Sequence, residues 1–323
     1  MKLSKIFPLI LILVLLAGCQ KETPVPSPTY ALPTSAPLPT TAPVQDPIGE
    51  GGVLLTGDGQ EVTLTTVLEI GEKTRWAIGS RNSGPNLVLY SGDGGRSWAD
   101  RTPPDSTLDP GSNAKATISF WHDTWSDGNL GWVFYNGSNL LWKTIDAGLS
   151  WGSYTLDTSA NQGAMIYILN PNTAWVMLES GEGPARNSSI TLYRTLDGGY
   201  NWEVMLKPSD GGPHGFNKYG LNFGTTEYGW IAREQGHYIK PYLDITRDGG
   251  RHWEMVNFPP PPAFPECFDD CQCDVYDPIV LLEGNGSFHL SCRCYGDADY
   301  PYTEFNYYTS DDGGSWKITA LPD

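Results

Sequence analysis

The chain has 323 residues and a net charge of −17, from 37 acidic and 20 basic side chains. That charge repels a phosphate backbone, which excludes nucleic acid as a partner, and it gives anionic lipid no electrostatic attraction. The length suits one large domain or two small ones, and no window sustains the apolar period of a helical fold.

The first element in chain order is a targeting segment. Lys2 and Lys5 precede an apolar run, Ile6 to Leu16, broken only by Pro8, and "LAGC" (16–19) follows. The run is too short to span a bilayer comfortably, and it has the charged, apolar, small-residue order of an export signal. LAGC resembles the bacterial lipobox, whose cysteine becomes the lipidated first residue of the mature protein. The resemblance implies a signal peptide at 1–18, lipid on Cys19, and an extracytoplasmic protein anchored to the cell membrane through that lipid. Residues 19–50 follow as a linker. Its stretch "TPVPSPTYALPTSAPLPTTAPVQDP" is rich in Pro and Thr, nearly lacks large aliphatics, and reads as an extended, semi-rigid spacer.

Residues 51–323 carry a repeat. Five octapeptides share the pattern [ST]-x-D-x-G-x-x-W: "SGDGGRSW" (91–98), "TIDAGLSW" (144–151), "TLDGGYNW" (195–202), "TRDGGRHW" (246–253) and "TSDDGGSW" (309–316). A second motif precedes each: "RWAIGS" (75–80), "GWVFYN" (131–136), "AWVMLES" (174–180), "GWIAREQ" (229–235) and a degenerate "SFHLSCR" (287–293). The segments between are strand-length, rich in aromatic and β-branched residues, and punctuated by Gly, Asn and Asp. A period of roughly fifty residues holding four strands is one blade of a β-propeller. In the second unit the strands A to D fall near Thr117–Trp121, Gly131–Tyr135, Leu140–Thr144 and Trp151–Thr155. Each octapeptide then spans a C–D turn. Its glycines supply positive φ, its Asp bonds turn N–H groups, and its Trp packs between strands. The expected fold is an all-β propeller of four-stranded blades: five blades, or six if one lacks the octapeptide. "GVLLTG" (52–57) is placed to pair with the last blade and close the ring.

The octapeptide resembles the Asp-box, or bacterial-neuraminidase repeat, of sialidases, some endoglucanases, sortilin-type receptors and the photosystem II stability/assembly factor family. Coupling of a GWxx strand to a TxDGGxxW turn is most similar to the last group. The resemblance covers about 53–323 and implies peripheral, structural boxes. Their residues are Asp93 and Trp98, Asp146 and Trp151, Asp197 and Trp202, Asp248 and Trp253, and Asp311 and Trp316. His252, inside a box, reads as a surface turn residue.

Propeller ligands usually meet the face opposite such turns, around the central channel. The longest connections on that face belong to units three to five: 179–189, 233–242, 293–304, and 258–278 before unit five. Arg186, Arg233, Tyr238, Tyr242, Arg293 and Tyr300 are the binding candidates there, because Arg and aromatic residues dominate binding hot spots. Four cysteines converge on unit five, with Cys271 and Cys273 just before its strand A and Cys292 and Cys294 at the end of strand B. Outside the cytoplasm they read as two disulfides, 271–292 with 273–294 or the crossed pairing, with Cys267 able to replace any of the four and one cysteine left over. Cys-x-Cys is not a zinc-knuckle spacing, so no metal is expected, and no other cofactor.

A sialidase carries an Arg-Ile-Pro signature that this sequence lacks, and the endoglucanase relatives need two seven-bladed domains. Asp297, Asp299 and Glu304 are the acidic candidates for a glycosidase, but the chain is acidic throughout. The reading favoured is a monomeric, non-catalytic module that binds a protein through its loop face. The alternative is a glycan-binding or glycoside-hydrolysing propeller, with two carboxylates about 5–10 Å apart.

Overall fold

A computed structural model describes residues 48–55, 60–121, 128–156, 163–180, 189–213, 218–235, 240–261, 271–282, 284–294, 303–311 and 313–320. They belong to one compact unit, Leu32–Asp323. Cys19, the signal and nearly all of the linker lie outside the described residues, as does Cys267. No helix among the described residues is long and apolar enough to cross a membrane.

The fold is all-β, of propeller type, and its strands form five antiparallel sheets in chain order. Sheet one holds β1 (Val53–Leu55), β2 (Glu61–Glu69), β3 (Arg75–Ser80), β4 (Leu87–Ser91) and β5 (Ala99–Asp100). Sheet two holds β6 (Ala116–Phe120), β7 (Gly131–Tyr135), β8 (Leu140–Thr144) and β9 (Gly152–Thr155). Sheet three holds β10 (Gly163–Asn170), β11 (Thr173–Ser180), β12 (Ser189–Thr195) and β13 (Glu203–Leu206). Sheet four holds β14 (Lys218–Phe223), β15 (Gly229–Gln235), β16 (Lys240–Thr246) and β17 (Glu254–Val256). Sheet five holds β18 (Cys271–Leu282), β19 (Asn285–Cys294), β20 (Thr303–Thr309) and β21 (Lys317–Ala320). The segment expected to pair with the last blade does not: β1 pairs with β2, Val53 opposite Thr63, and widens sheet one.

Each octapeptide is the turn between the last two strands of its sheet, and all five share one hydrogen-bond plan. In the second, Thr144 Oγ1 donates to Asp146 Oδ1 (2.9 Å) and accepts from Gly148 N (2.8 Å). Ser150 N donates to Asp146 Oδ1 (2.9 Å), and Ser150 Oγ to Oδ2 (2.6 Å). The seventh position, which the pattern left open, supplies that last side-chain contact in every copy: Ser97, Ser150, Asn201, His252 and Ser315. In the first four turns two successive left-handed residues close the turn. Ala147 holds one of these places at φ 56, where a side chain is strained.

The packing between sheets explains the second motif. Trp76, Trp132, Trp175 and Trp230 occupy the same register place, one residue beyond the residue opposite the turn's first Ser or Thr. All four are at most 2% exposed, and each reaches into the following sheet. Trp76 stacks on Phe120 (centroids 3.8 Å, 12° between planes), and its Nε1 donates to Gly128 O (3.0 Å). Trp175 stacks on Phe223 (3.8 Å, 3°) and donates to Gly249 O (3.0 Å) in the fourth turn. Trp132 lies against Gly199 of the third turn, where a Cβ would fall 2.0 Å from the ring. Four apolar cores result, joining sheets one and two, two and three, three and four, and four and five.

Sheet five departs from this plan. Its equivalent register place holds Ser287, opposite Tyr308. On the same face Ser291 Oγ donates to Glu304 Oε1 (2.8 Å), and His289 bonds Glu304 and Asn306. At the other end, the fifth apolar cluster belongs to sheet one alone (Val62, Leu64, Ala77, Leu87, Leu89, Trp98), with Ile48 and Leu54 packed on it. Ile48 N donates to Gly95 O (2.8 Å) in the first turn. The main chain there sits beside a turn glycine, as the indoles do in later turns.

Cys273 and Cys292 form a disulfide, both fully buried against sheet four. The antiparallel register sets Cys271 opposite Cys294 and Cys273 opposite Cys292, so the uncrossed pairing is not formed. It would join residues two places out of step. Cys271 and Cys273 lie within β18 rather than before it.

The turn aspartates tie stability to pH. For Asp93, Asp146, Asp197 and Asp248, partial burial pushes the pKa up, but hydrogen bonds outweigh it and hold each below the ordinary 3.8. For Asp311, hydrogen bonds from Ser315 lead the depression. A carboxylate held low contributes its stability in full above 3.8 and loses it as pH falls through the depressed value. Asp248→Ala is therefore expected to cost about 1–2 kcal/mol near neutral pH. In thermal melts across pH, the gap to wild type narrows below 3.8. A gap that widened there would contradict this role.

Candidate functional site

Alternating strand direction puts the five repeat turns on one face. The connections from second to third strand, and from one sheet to the next, lie on the other. A cleft of about 520 Å³ opens there between sheets one and two. Three separate segments build it. Strand β2 supplies Thr65 and Thr66, the end of β3 and the connection to β4 supply Ser80, Arg81, Asn82 and Asn86, and the approach to β6 supplies Asn113 and Lys115.

Asn86 fixes the wall. Its N donates to Ala114 O (3.0 Å), and its side-chain oxygen accepts from Ala116 N (3.1 Å). The Tyr135 hydroxyl from sheet two donates to Asn86 O (3.1 Å). Burial, with Asp100 and Asp105 adding, pushes the Tyr135 pKa far above the ordinary 10.0, so it remains a neutral donor. Arg81 Nη2 donates to Pro85 O (3.1 Å), which closes the connection, and Arg81 Nε is buried without an acceptor. Lys115, Asn82 and Asn113 are exposed. The described residues that line it supply two cations, amides and hydroxyls, with no carboxylate and no aromatic ring among them. Such a wall recognises hydrogen-bonding or anionic groups.

The residues expected to bind are placed differently. Arg186, Tyr238 and Tyr300 lie outside the described residues, as do Asp297 and Asp299. Arg293 is a strand residue of β19, opposite Gln272. Arg233 and Tyr242 face each other across β15 and β16 rather than standing on a loop, because the strands extend to Gln235 and start again at Lys240. Arg233 is 6% exposed and Asp244 3%. The guanidinium grips that carboxylate through Nε and Nη2, and it lies 5.1 Å from the Tyr242 ring centroid. Glu304 engages Ser291 and His289 within its own sheet. Among the described residues, no group of three His, Cys, Asp or Glu side chains is arranged to hold a metal ion.

The cleft residues were not singled out from sequence. They come from three segments without a shared motif. The usable signal was the pairing of Arg81 and Lys115 with amide-rich, acid-free neighbours in an acidic chain.

The buried pair makes a sharp expectation. Asp244→Ala removes the carboxylate that the buried Arg233 guanidinium grips and should cost about 3–5 kcal/mol in denaturant unfolding. The apolar double variant Arg233→Met/Asp244→Leu should recover most of that loss. A neutral Asp244→Ala would mean that the pair is solvated.

No protein-family model and no curated protein matches the chain. Solved structures resemble it at low identity. YCF48 from Cyanidioschyzon merolae is 15% identical over 80% of this chain and 86% of its own, with a TM-score of 0.42. The GH74 enzyme of Niastella koreensis is 14% identical over 78% of this chain, with a TM-score of 0.45, and the match spans about half, 49%, of that enzyme. The α-L-arabinanase of Penicillium chrysogenum, solved with arabinobiose, is 14% identical over 68% of this chain and 69% of its own, with a TM-score of 0.43. The all-β, propeller-type architecture stands on the chain's own five antiparallel sheets.

Proposed function

We propose that the protein is an extracytoplasmic β-propeller of Asp-box type, anchored to the membrane through lipid on Cys19, that docks a partner protein on its loop face without catalysis. The supporting observation is the cleft between sheets one and two. It lies on the face opposite the repeat turns, and among the described residues its lining offers cations, amides and hydroxyls but no carboxylate. Glycoside hydrolysis needs two carboxylates flanking the scissile bond, and recognition needs only a shaped, hydrogen-bonding surface. The repeat turns use their aspartates internally, so they serve the scaffold. The Pro- and Thr-rich linker would hold the domain off the membrane by an extended spacer.

Fractionation and capture test the reading together. The full chain should partition with membranes, and Cys19→Ser should move it to the soluble fraction. Pull-down from solubilised membranes should recover a protein partner, with a glycan array blank and no sugar released from glycan substrates. Glycan binding or hydrolysis with no protein recovered would overturn it.

A further inference from the structure

We propose that the cleft between sheets one and two is an anion site whose ligand is an acidic segment of a partner polypeptide, an inference that rests on the loop face being a binding surface. Acidic side chains outnumber basic ones by 37 to 20 in this chain. A wall whose described residues include two cations and no acid is a local reversal of that charge. The whole molecule repels an acidic ligand, and the cleft is where that repulsion is locally offset.

The Arg81 guanidinium suits a carboxylate. One nitrogen, Nη2, is anchored on Pro85 O, which restrains the fork, and Nε meets no acceptor within the protein. Nε is closed off from solvent, so a ligand meets the outer end of the guanidinium, and a carboxylate oxygen is the acceptor that a guanidinium binds most strongly. Lys115, from the approach to β6, adds a second, exposed charge. The side-chain amides of Asn82 and Asn113 can pair with the peptide groups between acidic side chains. An acidic sugar would satisfy the cations, but the described residues of the lining give it no ring to stack on. A volume of about 520 Å³ admits a short stretch of chain rather than a folded surface.

The test is titration of the full chain with an acetylated, amidated hexaglutamate peptide at low and high salt, beside trigalacturonate. Saturable binding that weakens with salt is expected. Arg81→Gln/Lys115→Gln should bind about five- to tenfold more weakly, as for two solvent-screened charge pairs, while remaining folded. Lys115→Gln alone should give a smaller loss in the same direction, and it decides the matter if the double variant fails to fold. Absence of saturable peptide binding, equal binding by the variants, or tighter binding of trigalacturonate would each overturn the proposal. A partner protein captured equally by wild type and double variant would overturn it while leaving the loop-face reading intact. Capture of glycan alone would overturn both.

Discussion

The interaction on which the rest of the structure depends is one indole seated in the next sheet. Trp76, Trp132, Trp175 and Trp230 each leave their own sheet from the same register place and are sealed in the following one. A buried aromatic of this size removes roughly 150–250 Å² from water, so four of them dominate the contacts between sheets. The second, third and fourth repeat turns receive three of them, and Trp230 lies against Gly286 at the start of β19. Gly199 is needed for its positive φ and again because a Cβ there would strike the Trp132 ring. The Asp and the hydroxyl of each turn hold that glycine in place. The two sequence motifs are thus the two halves of one joint.

The ends of the array show what happens where the joint is missing. Sheet five has Ser287 in the indole's place and a hydrogen-bonded polar face around His289, Ser291, Glu304 and Asn306. Sheet one has its own apolar cluster, with Ile48 and Leu54 against it. Repeat arrays commonly finish in atypical units with polar outer faces; sheet five has such a polar face, and sheet one instead has the apolar cluster with Ile48 and Leu54 packed on it. The repeat turns and the cleft are also separated by face: the turns and their aspartates occupy one side, and the cleft with Arg81 and Lys115 occupies the other.

Local chemistry was legible in the sequence, and register was not. Gly131–Tyr135 and Leu140–Thr144 were readable as strands because apolar runs end at turn residues, and the octapeptides marked every last turn. Arg233 was misplaced because a polar, aromatic stretch beside Gly236 reads as a loop. Strand alternation instead sets it on the face of Ile231, where Asp244 meets it. The cysteine pairing stayed open for the same reason, since only the β18–β19 register sets Cys273 against Cys292. The cleft draws Thr65, Arg81 and Lys115 from three segments, and only the packing of sheet one on sheet two brings them together.

Denaturant unfolding of Trp132→Ala, referenced to Ser287→Ala at the equivalent place in sheet five, tests the central claim most directly. The account predicts a loss of about 3–5 kcal/mol for Trp132→Ala and less than about 1 kcal/mol for Ser287→Ala. Comparable losses at the two positions would contradict it, because the joint between sheets would then not reside in the indole.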